Sequence, residues 1–277
     1  MKQEALKERL IKKSSKLLVK TGLCNLLNIK REGFTLKFFP SHFSQVIWRS
    51  SFIHDETLAQ EEKFYKRYLK QGDIVVDVGA NIGYFSLLCS SIVGKEGKVY
   101  SFEPHPRIYK YLVANISLNN MTNITTFNLA VGNETNEINL IQERNKDDRS
   151  YISKNSTGMK VTMKRLDDVK INTDNINLLK IDVEGFEKFV LEGASDILSK
   201  TQCVFFEASD SLFKRFGYDV YDLCSVLKDK QFDIYGIFND QIKKLIKDSE
   251  IIRSVPNLIA TKNISQFLER TNYSYLQ

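Results

Sequence analysis

An open, doubly wound α/β fold on a mostly parallel seven-stranded sheet is what the sequence predicts, and three observations predict it. From Asp73 onward, short apolar runs alternate with amphipathic ones. The short runs are continuously apolar and β-branched, as in a parallel sheet covered on both faces. The first of them opens into VVDVGANIGYFS (Val75 to Ser86), which reads as a strand, an acid at its tip, a glycine turn and an amphipathic run. At 277 residues the chain suits one large domain with a small N-terminal appendage.

The elements follow in chain order. Residues 2–20 space Leu6, Leu10, Leu17 and Leu18 on one helical face among Lys and Arg. That face is expected to pack on the main domain, and peripheral contact with an anionic membrane surface is the sharper alternative. Gly33 to Pro40 and Gln45 to Arg49 alternate like a hairpin. Asp55 is an N-cap for a helix carrying Leu58, Phe64, Tyr65, Tyr68 and Leu69, closed near Gly72. Residues 1–70 are therefore assigned to an N-terminal helix, hairpin and helix, and residues 71–277 to the main domain. Within the latter, strands are expected at 73–78, 98–102, 124–130, 177–181, 203–207, 232–237 and 257–261. Helices are expected at 82–93, 106–119, 187–199 and 219–230. Residues 134–165 interrupt this rhythm: INLIQ and KVTMKRL flank the polar stretch ERNKDDRSYISKNSTG, a candidate substrate or lid loop with Arg149 and Tyr151 in it. Asp167 and Asp168 read as a helix cap.

Composition narrows the function classes. A net charge of +6 is mildly basic and is no nucleic-acid signature by itself. Cys24, Cys89, Cys203 and Cys224 include no C-x-x-C pair, so reduced core thiols are expected rather than a zinc site or disulfides. No run of eighteen apolar residues and no secretory signal is visible, and a cytoplasmic location is expected.

In a doubly wound sheet the ligand sits beyond the carboxyl ends of the strands at the switch point. Gly79 and Gly83 allow close backbone approach, and Asn81 tolerates the left-handed conformation. Glu103 ends the second strand, where a carboxylate can accept from both ribose hydroxyls. The spacing G-A-N-I-G is not G-x-G-x-x-G, which disfavours a pyrophosphate and hence an NAD-dependent oxidoreductase. Asp77, before the turn, suits a ligand bearing an ammonium group. Adenosine joined to an amino acid, S-adenosylmethionine, fits these features.

DIVVDVGANIGYFS, GKVYSFEPHPRIYKYLVANISLNN, the NLAVGN turn and LLKIDVEGFEKFVLEGA together resemble the FkbM-type methyltransferases of the class I, Rossmann-like superfamily. The resemblance runs in order from about Glu56 to Tyr235. It implies that Asp77, Gly79, Asn81 and Gly83 form the cofactor loop, that Glu103 binds the ribose, and that Asn128 to Ala130 lie along the adenine. It also implies a hydroxyl-bearing acceptor such as a sugar.

Methylating a hydroxyl requires alignment of the acceptor and removal of its proton. Asp182 stands at the tip of the fourth strand in KIDVEGFE, Glu184 follows in the same turn, and Glu207 ends the neighbouring strand. Crowded carboxylates raise one another's proton affinity, as a base needs, and equally offer oxygen ligands to a divalent metal. His42 and His54 precede the domain, so no histidine is expected at the site, and His105 is given no role. The leading expectation is an O-methyltransferase acting on a small-molecule or glycan hydroxyl, with no nucleic-acid partner. The competing one is a non-catalytic binding protein for the same cofactor.

Overall fold

The structure is a computed structural model that describes residues 2–143, 146–153, 158–245 and 257–276; within these, the side chains of residues 2–4, 143, 146–149 and 153 are left aside. A nine-stranded sheet forms the centre. Its parallel part comprises β3 (Ile74–Val78), β4 (Lys98–Phe102), β5 (Ile124–Phe127), β10 (Ile176–Ile181) and β11 (Thr201–Glu207). Beyond β11 come β14 (Asn257–Thr261), antiparallel to it, then β12 (Asp233–Phe238), β13 (Gln241–Lys244) and β15 (Ser274–Tyr275). All seven expected strands are present, but the one expected at 124–130 ends at Phe127, and Ala130 passes into a second sheet. The two additional strands, β13 and β15, are short and polar and extend the sheet beyond β12, with no apolar run to announce them.

Side chains alternate along each strand. Val76, Val78, Phe102, Leu179 and Ile181 enter one core, and Val75, Val99, Leu178 and Phe205 enter the core on the opposite face. The second core also receives Phe34, Ile47, Phe64 and Tyr65 from the N-terminal segment. All four cysteines are buried free thiols. The strand order places β10 and β4 on opposite sides of β3. The chain thus runs outward from β3 through β4 and β5, then returns to the other side, which makes the tips of β3 and β10 the switch point.

Several expectations need correction. The hairpin pairs β1 (Asn28–Arg31) with β2 (Phe34–Lys37), while Gln45 to Arg49 lies in α2 (His42–Ser50). Ser41 starts that helix by accepting from the Ser44 amide at 3.1 Å, and this cap overrides the brief alternation. The expected helix 187–199 breaks into α6 (Glu187–Glu192) and α7 (Ser195–Lys200). At the break, a Cβ on Gly193 would fall 1.9 Å from the Gly132 carbonyl oxygen, so only glycine permits this approach. Asp167 does act as a helix cap, accepting from the amides of Asp196 and Ile197 at the start of α7. In α1 (Lys2–Thr21), Leu18 packs on the core, but Leu6, Leu10 and Leu17 are exposed. No helix among the described residues is long and apolar enough to cross a membrane.

The interrupting segment forms a second sheet, ordered β6 (Ala130–Val131), β9 (Met159–Lys164), β7 (Asn136–Glu143), β8 (Lys146–Ser153). Leu140, Val161 and Met163 form a small core with Ala130 and Phe186. Strand β8 escapes the pattern because it is a polar edge strand, paired among the described residues with β7 alone.

Candidate active site

Two cavities open at the tips of β3 and β10, and the turn after β3 divides them. Gly79 has φ 83° and Asn81 φ 51°. The amides of Gly79 and Ala80 donate to the Phe102 carbonyl at 3.0 and 2.9 Å, and the Asn81 side chain accepts from the Ile82 amide at 2.7 Å. A Cβ on Gly79 would meet the Asp182 carbonyl oxygen at 1.9 Å, so the turn and the tip of β10 fit together only through glycine. Gly83, φ 91°, begins α4 (Tyr84–Val93) beneath the turn, against Leu112.

The first cavity, about 660 Å³, is walled by Gly79, Asn81, Phe102, Glu103, Leu129, Ala130, Val131, Leu140 and Ile152. Glu103 is 7% exposed and accepts from the amides of Asn81 (3.0 Å) and His105 (2.8 Å). Burial raises its carboxyl to about 7, against the pull of those two amides. Asn128 donates to the carbonyls of Glu103 and Pro104, bracing that loop from outside the cavity wall.

Asp77 sits under the turn and away from both cavity walls. Asp77 and Lys180 are 1% and 3% exposed and form an ion pair of 3.0 Å, and Ser86 donates to Asp77 at 2.6 Å. Lys180 also donates to the Gly79 carbonyl at 3.3 Å and lies 3.9 Å from Asp182. Burial works against its charge, but Asp77 and Asp182 outweigh this and hold the ammonium well above its usual range. The acid expected to meet a ligand ammonium is thus already matched within the protein.

The second cavity, about 1130 Å³, brings Asp182, Glu184 and Glu207 together with Gly79, Asn81 and Lys180. Asp182 and Glu184 line both cavities. Glu184 takes φ 56° in a turn clamped by buried Glu187, which accepts from the amides of Val183 (2.9 Å) and Gly185 (3.3 Å). Burial lifts Glu187 to about 7.

Three further residues in this cavity escaped the sequence. Glu61, on α3 (Glu56–Tyr68), accepts from Asn257 at 2.9 Å. Burial, then the charge of Asp182, raises Glu61 to about 7. His42, at the start of α2, also lines the wall, which corrects the expectation that no histidine reaches the site. The N-terminal segment folds over the strand tips and carries it there. A signal for Glu61 did exist: with Leu58 and Tyr65 it occupies the apolar stripe of its helix, a place where an acid needs a reason.

Tyr151 lines neither cavity, and its ring lies 5.1 Å from the Arg215 guanidinium. The side chain of Arg149 falls outside the described residues. Among the described residues no group of three or more His, Cys, Asp or Glu side chains could hold a metal ion.

A doubly wound sheet with a glycine turn at its switch point, a buried acid ending the second strand and a cavity between them defines a Rossmann-like, nucleotide-binding fold. Residues 77–234 match the methyltransferase FkbM domain, and the chain belongs to that family. A protein-L-isoaspartate(D-aspartate) O-methyltransferase model also matches residues 2–135. The chain is 25% identical to the hexuronic acid methyltransferase AglP of Haloferax volcanii, over 79% of this chain and 84% of that protein. It is 29% identical to the methyltransferase sdnD of Sordaria araneosa, over 46% of this chain and 62% of the relative. A solved FkbM methyltransferase from Methylobacillus flagellatus KT shares 16% identity over 79% of this chain and 54% of that one, with a TM-score of 0.42.

Proposed function

We propose that this protein methylates a hydroxyl of a sugar or glycan-type acceptor, with the cofactor in the first cavity and the acceptor in the second. The observation that carries this is the junction: Gly79, Asn81, Asp182 and Glu184 wall both cavities, so two ligands would meet beside the Asp182 carboxylate. The first cavity fits S-adenosylmethionine by its donor set. Glu103 has acceptor capacity beyond its two amide partners for a ribose diol, and Leu129, Val131, Leu140 and Ile152 offer apolar surface for adenine. Glu184, which lines this cavity where Asp77 does not, offers an anion to the cofactor's ammonium group. When bound, the cofactor supplies an electrophilic methyl group.

The chain's own residues do the rest. Asp182 orients the acceptor hydroxyl and takes its proton, and buried Lys180, fixed by Asp77, lies 3.9 Å from its carboxylate and holds it in place. Glu61, Glu207 and Asn257 offer hydrogen bonds to the acceptor's other hydroxyls. A carboxylate-rich wall with two amides, Asn81 and Asn257, suits a polyhydroxylated ligand. The relative named as a hexuronic acid methyltransferase supports a sugar acceptor. The test is S-adenosylhomocysteine release across a panel of hydroxylated sugars, wild type against Asp182→Ala. Release with a sugar alcohol and its loss in the variant support the proposal. Full activity in the variant would remove Asp182 from it, and release only with amine acceptors would remove the hydroxyl.

A further inference from the structure

Helix α1 carries an apolar stripe that methyl transfer does not use. The helix docks through one side only: Ser15 is buried, with its hydroxyl 3.5 Å from the Gln45 side chain, and Leu18 and Val19 pack on the core that holds Phe34 and Ile47. At about 100° per residue, Leu6, Leu10 and Leu17 fall within roughly 40° of one another, on the side away from Ser15 and Val19. They are 57%, 55% and 60% exposed. The turn that follows adds Leu23 and Leu26, 51% and 81% exposed, while Cys24 between them is buried and anchors that turn.

The charge around the stripe identifies what covers it. Lys7, Arg9, Lys12, Lys13, Lys16 and Lys20 are all exposed, and Glu8 is the only acid among the helix's described side chains. Lys13 and Lys20 border the leucines on one flank and Lys7 on the other. A second copy of this chain would set these cations against their own like charges. An anionic lipid surface matches both features: leucines enter the acyl boundary, and flexible lysine stems keep their ammonium groups among headgroup phosphates. We infer that α1 and the turn after it dock this protein on an anionic membrane surface. The inference is independent of the acceptor proposed above.

The experiment is cosedimentation of the full chain with sucrose-loaded vesicles, of phosphatidylcholine alone or with about a third phosphatidylserine. Binding to the anionic vesicles is expected to be at least ~10-fold tighter, and to weaken when salt rises from about 0.1 to about 0.5 M. The triple variant Leu6→Ser, Leu10→Ser, Leu17→Ser should lose binding yet keep its S-adenosylmethionine affinity by calorimetry, since these side chains lie outside the core. Failure of the wild type to bind anionic vesicles, or equal binding by the triple variant, overturns the inference. So does sedimentation equilibrium showing a wild-type dimer that the variant abolishes, because the stripe would then belong to a second copy.

Discussion

The two cavities share four wall residues and differ in nearly everything else. The first is made by backbone: a glycine turn, amides tied to carbonyls, apolar walls, and one acid held by two amides. The second is made by side chains from separate elements, with Asp182, Glu184, Glu207 and Glu61 around buried Lys180 and Phe43, Val46, Leu58 and Phe85 among them. A backbone site is rigid and tolerates little change in its ligand, as a fixed cofactor requires. A site of side chains on separate elements can be rebuilt one residue at a time, which suits acceptors that differ among relatives. The difference teaches where substitutions should act: in the first cavity on cofactor affinity, in the second on turnover.

Asp182→Ala should lower kcat by about 10³-fold while leaving S-adenosylmethionine affinity within severalfold, because Lys180 keeps its pairing with Asp77. Glu187→Ala should come next, as a stability effect. It orphans the amides of Val183 and Gly185 and is expected to cost about 1–3 kcal/mol, read as a lowered urea midpoint.

Glu61, Glu103 and Glu187 sit near 7 in the folded protein, against the ordinary 4.5. Between those values the folded protein keeps protons that the unfolded chain has released, so raising the pH favours unfolding. The stability of the ligand-free protein should therefore fall from about pH 4.5 to about pH 7 and level off above. Each group contributes on the order of 1 kcal/mol after allowance for water in the cavities. Thermal melts across that window should show the slope, and Glu61→Gln should flatten it by about a third. A slope that Glu61→Gln leaves unchanged would mean the second cavity is fully hydrated.

The smallest effect is expected at Tyr151→Ala. Its ring faces Arg215 and neither cavity, so kcat/KM should stay within about twofold. A large loss would place the second sheet at the acceptor.

The same contrast explains what the sequence disclosed. Much of the first cavity's wall comes from continuous stretches around Val78 to Glu103 and Leu129 to Val131, and local chemistry marks the first: positive φ at Gly79 and Asn81, an acid closing an apolar strand at Glu103. The strands at 73–78 and 177–181 were legible because both faces are buried. The second cavity gathers His42, Glu61, Glu207 and Asn257, which only the tertiary fold brings together. Glu207 showed itself at a strand tip, whereas His42 depends on how α2 lies over the sheet. Asp77 shows the converse: its position beside the turn was evident, but its partner Lys180, on the neighbouring strand, emerges only from the parallel register of β3 and β10.

The most direct test of the division between cavities is calorimetric titration of S-adenosylmethionine into wild type, Glu103→Ala and Glu207→Gln. Binding should weaken by about 10- to 100-fold in Glu103→Ala, through loss of a charge-assisted hydrogen-bond acceptor, and stay within about twofold in Glu207→Gln. Wild-type affinity in Glu103→Ala, or an equal loss in both variants, would contradict the assignment of the cofactor to the first cavity.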